Sequence, residues 1–212
     1  MYQFFSAFSY TINPEVPRMS HEAFVYHFGI HHIAYVVKLD KLNKGTEYER
    51  ASLETILRNA PAGKIYNAAA QVWIHTFFWH SIGPQGGGEP EGALACEIIK
   101  KWGSFNNFKI AFQTSAACKY CSGWIWLVKK TDGSVDINNM GEPGTLFSSC
   151  ERPLLCLDIR EHTYYDEYRN LRSRFVADFL NNLVNWVFAE KNFNLQALAE
   201  NQVREFETDK IY

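Results

Sequence analysis

From Ser20 onward, Phe24, His27, Phe28, His31 and Tyr35 fall on or near one stripe at spacings of three and four. The pattern predicts a helix running to about Leu42, capped by Ser20 and ended by Gly45. Ser52 opens a short helix through Asn59, and a longer helix runs from Gly63 to Ile82, where Gly83-Pro84 stops it. Ala68, Ala69, Ala70, Val72, Trp73, Ile74, Phe77, Phe78 and Trp79 make that helix apolar nearly all round. It is therefore expected to lie buried between layers, and its polar residues Gln71 and His75 will need partners.

Gly86-Gly87-Gly88-Glu89-Pro90 breaks the helical pattern and divides the chain. Helices follow over Gly92 to Trp102 and Phe105 to Lys119, and then three β-prone runs, Ser122 to Lys130, Val135 to Met140 and Pro153 to Ile159. Asp132-Gly133 marks a hairpin between the first two. After His162 the periodicity predicts a long amphipathic helix from about Tyr168 to Phe188, and Leu195 to Lys210 reads as one more, highly charged helix. The expected fold class is α+β. An N-terminal antiparallel helical hairpin occupies residues 1–85, and a C-terminal domain with a small three-stranded antiparallel sheet and helices occupies 86–191. A C-terminal helical extension occupies 192–212.

Composition narrows the functional classes. Over 212 residues, 47% hydrophobic and 16% aromatic content exclude a disordered chain. No uncharged apolar run reaches the roughly 18 residues needed to span a bilayer. A net charge of -2 gives no global basic field of the kind nucleic-acid binders usually show, although local patches remain possible, so partners cannot be read from net charge. The five cysteines, Cys96, Cys118, Cys121, Cys150 and Cys156, are odd in number and sparse, which favours a reducing compartment, the cytoplasm or the mitochondrial matrix. Cys118-x-x-Cys121 has no second pair to close a zinc site. The opening MYQFFSAFSY lacks the marks of a signal or transit peptide.

The chemistry concentrates where the last β-prone run ends. Between Leu155 and Tyr165, Asp158 and His162 stand four residues apart; with Asp158 at the strand end and His162 in the first helical turn, the two can hold a metal together. His27 and His31 lie one turn, about 6 Å, apart on a regular helix, so one is expected to be a ligand and the other its neighbour. His27, His75 and His162 with Asp158 would make three nitrogens and one oxygen on three separate elements. Imidazole and carboxylate without thiolate suit iron or manganese, with zinc and copper not excluded by ligand type.

The residues around these positions carry a family resemblance. Ala69-Ala70-Gln71-Val72-Trp73-Ile74-His75-Thr76-Phe77-Phe78-Trp79, Gly87-Gly88-Glu89-Pro90, Ser122-Gly123-Trp124-Ile125-Trp126-Leu127 and Asp158-Ile159-Arg160-Glu161-His162-Thr163-Tyr164-Tyr165 resemble, in order and spacing, the hallmark segments of the iron/manganese superoxide dismutases. The resemblance covers about residues 20 to 190. It implies that His27, His75, Asp158 and His162 are metal ligands, that His31 and Tyr35 gate substrate access, and that Gln71 hydrogen-bonds metal-bound solvent. It likewise implies that Trp79 and Trp124 wall the site and that Arg172 attracts the anion from the funnel. Superoxide is the implied substrate. The implied assembly is a dimer through Glu161, His162, His31 and Tyr165, homodimeric unless a paralogue takes the other half. Glutamine on the second ligand helix is the iron-type arrangement, and Glu142-Pro143-Gly144-Thr145-Leu146 supplies no Gln or His, so iron is expected over manganese.

The chain departs from that pattern at several places. Ile74 stands where Asn is usual and Arg160 where Trp is usual; Leu180 replaces an aromatic, the Leu-Pro opening is missing at Ser6 to Tyr10, and a tail extends from Asn192 to Tyr212. Arg160 either points inward, adding positive charge to the site, or outward to an acidic partner. Three readings stand beside the resemblance: an iron superoxide dismutase; a structural subunit on the same fold in an assembly such as a mitochondrial ribosome, the one case in which nucleic acid is expected as a partner; and a metal-binding protein with different chemistry.

Overall fold

A computed structural model describes residues 19–117, 123–140 and 151–195 of the chain. Cys118, Cys121, the Ser6 to Tyr10 opening, the Glu142 to Leu146 segment and, after Leu195, the expected tail helix lie outside the described residues. The first half is helical. Ser20 caps α1 (His21–Phe24) by accepting the Ala23 N–H, and its own backbone N–H donates to Glu167 at 3.0 Å. The chain then widens into a π-helical segment (Val25–His32) before α2 (Ile33–Asn43). The regular helix expected from Ser20 to Leu42 is therefore interrupted. Next come α3 (Leu53–Asn59), capped by Ser52 as expected, and α4 (Lys64–Ser81), which packs between α2 and the sheet. Its burial on nearly every side matches its all-round apolar sequence.

Helices α5 (Gly92–Trp102) and α6 (Phe105–Ala117) lead into strands β1 (Trp124–Lys129), β2 (Val135–Met140) and β3 (Arg152–Asp158), an antiparallel sheet ordered β2-β1-β3. On β3, an edge strand where a residue without an N–H is tolerated, Pro153 sits at a register shift opposite Leu127 and Val128. The pairing of Trp124 with Asp158 sets an indole beside the strand-end carboxylate.

The long helix expected from Tyr168 to Phe188 is broken. It appears instead as α7 (Glu161–Tyr168), α8 (Arg172–Asp178), a second π segment (Phe179–Leu183) and α9 (Trp186–Asn194). Arg169 ends α7 with φ 52°, and Val184 leaves the helical region with ψ 130°. Tertiary pairing accounts for the second break. Val184 bridges Ile82, Gly83 donates to the Leu183 carbonyl and Asn185 to that of Ser81. A Cβ on Gly87, at φ +89°, would meet the Asn181 carbonyl oxygen at 2.0 Å, so the glycine loop is a site of close backbone approach between the two halves of the chain. Amphipathic periodicity shows no such pairing.

Candidate metal centre

Three elements deliver the donors. The π segment brings His27, α4 brings His75, and the β3-α7 junction brings Asp158 and His162. One donor atom from each lies within 4.8 Å of all the others, close to the span across an ion held by bonds of about 2.0–2.2 Å. His75 donates its Nδ1–H to the Gln71 carbonyl one turn back, at 2.7 Å, which fixes the tautomer and leaves Nε2 with a bare lone pair. Asp158 Oδ1 accepts the Arg160 backbone N–H at 2.9 Å, so Oδ2 faces His27 Nε2 at 3.4 Å and His162 Nε2 at 3.5 Å.

The atoms left over form the centre. His27 Nε2, His75 Nε2 and Asp158 Oδ2 are buried without a hydrogen-bond partner, which is costly for polar groups and suits donors awaiting a cation. Burial pushes His27 and His75 below the ordinary imidazole range, so both are neutral. Burial alone would raise the Asp158 carboxyl, but its contacts with His162 and His27 outweigh that and hold it well below the usual range, ionised. Among the donors, neutral His27 and His75 stand beside a buried carboxylate that carries the negative charge. The donor set therefore fits a hard or borderline divalent or trivalent ion.

Aromatic rings enclose it. Trp79 and Phe78 lie 5.0 and 5.4 Å from the His27 ring, and Trp124 lies 5.1 Å from His75, centroid to centroid.

The chain matches two family models: "Iron/manganese superoxide dismutases, alpha-hairpin domain" over residues 2–83 and "Iron/manganese superoxide dismutases, C-terminal domain" over 90–192. It is 49% identical over 184 residues to a protein of Bordetella pertussis named superoxide dismutase [Fe], covering 87% of this chain and 95% of that one. A protein of the same name from Legionella pneumophila is 46% identical, covering 86% and 94%, and one from Escherichia coli 44%, covering 88% and 95%. The chain belongs to the iron/manganese superoxide dismutases.

The other residues that the resemblance singles out can be located around this donor group. His31 does not join the donor group; its ring lies 4.5 Å from His162 and 5.3 Å from Tyr35. Burial and the neighbouring imidazoles His162 and His27 lower His31 to about 4. Gln71 is buried one turn before His75. Arg160 points inward. Its guanidinium lies over Trp124, 5.4 Å from the ring centroid, and Nη1 donates to Gln71 Oε1 at 3.4 Å. Arg172 donates its Nε–H to the Tyr164 hydroxyl at 3.0 Å.

Sequence reasoning missed His32. It is buried, its ring stacks on His75 at 5.6 Å, and burial with the nearby His27 lowers it to about 3. On a regular helix adjacent residues diverge by about 100° and would not share one face. The π segment removes part of that divergence, so the rings of His27, His31 and His32 lie 5.3, 5.2 and 5.6 Å from His75. Among the signals in the sequence, only the adjacency of His31 and His32 hinted at this.

Proposed function

We propose that His27, His75, Asp158 and His162 hold one iron ion and that the chain disproportionates superoxide to dioxygen and hydrogen peroxide. The observation that carries this reading is the convergence of their donor atoms, three of them buried and unpartnered, at one point in a chain of this family. Iron at this point supplies a one-electron couple, through which one superoxide is oxidised to dioxygen and a second, taking up two protons, is reduced to hydrogen peroxide. The residues do the rest. The His75 Nδ1–H bond to Gln71 and the Arg160 N–H bond to Asp158 orient two donors before any metal arrives. Trp79, Trp124 and Phe78 keep bulk water away. His31 and Tyr35 stand together at the His162 side, where a small anion and its protons would pass. Gln71 offers its amide N–H2 to the centre, and Arg172 contributes positive charge on the approach.

Iron over manganese rests on the names of the relatives and on the position of Gln71 on α4. The unpartnered, converged donors speak against the structural-subunit alternative. Two copies of this chain are taken to pair through Glu161, His162, His31 and Tyr165. No described helix is long and apolar enough to cross a membrane, and Cys96 and Cys156 are free thiols, which fits a reducing compartment such as the cytoplasm or the mitochondrial matrix.

The test is metal analysis of the purified protein beside a superoxide-consumption assay. About one iron per chain with rapid consumption is expected, and His75→Ala should lose at least about tenfold in metal affinity and essentially all activity. Iron-loaded protein without dismutase activity would overturn the reading.

A further inference from the structure

Gln71 is buried, so its amide cannot be left unmet without a cost of about 1–3 kcal/mol. The usual asparagine neighbour is replaced by Ile74, which is itself buried and offers nothing. The guanidinium of Arg160 takes up the amide instead, at 3.4 Å. A guanidinium has only donors, so the atom facing it must be the amide oxygen, and the N–H2 end is turned away from Arg160. The ring of Trp124 supports the guanidinium from the other side, 5.4 Å away at its centroid. Trp124 in turn lies 5.1 Å from His75, and Arg160 stands in the chain between Asp158 and His162, so its charge lies beside the centre.

We propose that Arg160 is a positioning residue of the metal centre: it fixes the Gln71 amide with its oxygen toward the guanidinium, and it places a permanent positive charge beside His27, His75, Asp158 and His162. The inference rests on the iron site proposed above. Ile74 and Arg160 are then one exchange. The polar partner of Gln71 has moved from a neutral amide on its own helix to a cation at the β3-α7 junction. A fixed positive charge disfavours the more highly charged ferric state, so the ferrous form is favoured and small anions bind more tightly.

The experiment compares the iron-loaded protein with Arg160→Lys, Arg160→Met and Arg160→Trp, at matched iron content. The readouts are the midpoint potential from a mediated redox titration and the affinity for azide, a small-anion probe, followed by visible absorbance. Arg160→Met should shift the ferric-to-ferrous ratio at fixed potential at least about tenfold toward ferric, a fall of about 59 mV for one electron. It should also weaken azide binding severalfold. Arg160→Lys, which keeps the charge, should retain most of both. Should Arg160→Met not fold, Arg160→Trp carries the same expectation, since it installs the side chain usual in the family. Adding Ile74→Asn to either uncharged variant should restore the partner of Gln71 but not the potential. Equal potentials and azide affinities across all variants, in protein that binds iron and consumes superoxide, would overturn the role of Arg160 alone. Failure of the parent protein to bind iron overturns this inference and the proposed function together.

Discussion

At the centre, protons and metal compete for the same atoms. His27 and His75 bind a metal only as neutral imidazoles, and burial already holds both below the ordinary value of 6.5. The sign of the pH effect follows. The folded, metal-free site binds fewer protons than the unfolded chain, so the stability these groups contribute is present above pH 6.5 and is lost as pH falls below it. Metal-free protein should therefore lose stability on acidification from pH 6.5 downward, as read by urea unfolding at a series of pH values. Iron should be released to a chelator only below the ordinary imidazole range, because the bound ion opposes protonation further. Release with a midpoint at or above pH 6.5 would show that the histidines are not held as the geometry requires. Much of this site was legible in the sequence. Asp158 and His162 stand four apart at a strand end, and His75 sits on a helix with no polar face, so both patterns point inward. The choice between His27 and His31 was not legible from periodicity, because it depends on a π turn that no local propensity announces.

Between elements, the join of α4 to β3 decides how well the donors are held. Ser81, at the end of α4, donates its hydroxyl to the Phe77 carbonyl at 2.9 Å and accepts the Cys156 N–H of β3 at 3.1 Å. This couples the helix that carries His75 to the strand that carries Asp158, within a fully buried contact. Ser81→Ala leaves the Cys156 N–H without its partner. The expected cost is about 1–3 kcal/mol, read as a lowered midpoint in chemical unfolding, with faster iron loss as the two donors drift apart. An unchanged midpoint would mean that water replaces the hydroxyl and the join is loose. Apart from the π segment at Val25–His32, the described helices and strands up to Asp158 follow their sequence signals closely, because each signal is local: Ser52 as a cap, Asp132-Gly133 as a turn, apolar runs as buried strands. The region after Tyr168 does not, and its break at Val184 comes from the pairing of Val184 and Asn185 with Ile82 and Ser81, about a hundred residues away. Amphipathic spacing carries no information about such a partner.

At the scale of the whole molecule, exposed apolar side chains stand on the two elements that carry His27 and His162. Tyr26 and Ile30 on the π segment are 61% and 54% exposed, and Tyr165 on α7 is 48% exposed. A pocket of about 310 Å³ between Tyr26, Glu161, His162, Tyr165 and Asp166 opens onto the side of the centre where His162 is 31% exposed. Exposed Tyr26 and Tyr165 beside this pocket fit the second copy proposed above, which would both bury them and shield His162. Tyr26→Asp would set a carboxylate against the facing copy. Since a central tyrosine at an interface is worth about 2 kcal/mol or more, the dimer should weaken more than about tenfold. Glu161→Ala should weaken it less, but should speed iron transfer to a chelator, because the carboxylate is then missing from the contact that covers His162. Sedimentation velocity across a concentration series gives the first quantity, and chelator kinetics give the second. If Tyr26→Asp sediments as the parent does, this face is not the contact. If it becomes a monomer that keeps iron and activity at the parent's level, then each centre is complete within one chain and the second copy serves only stability.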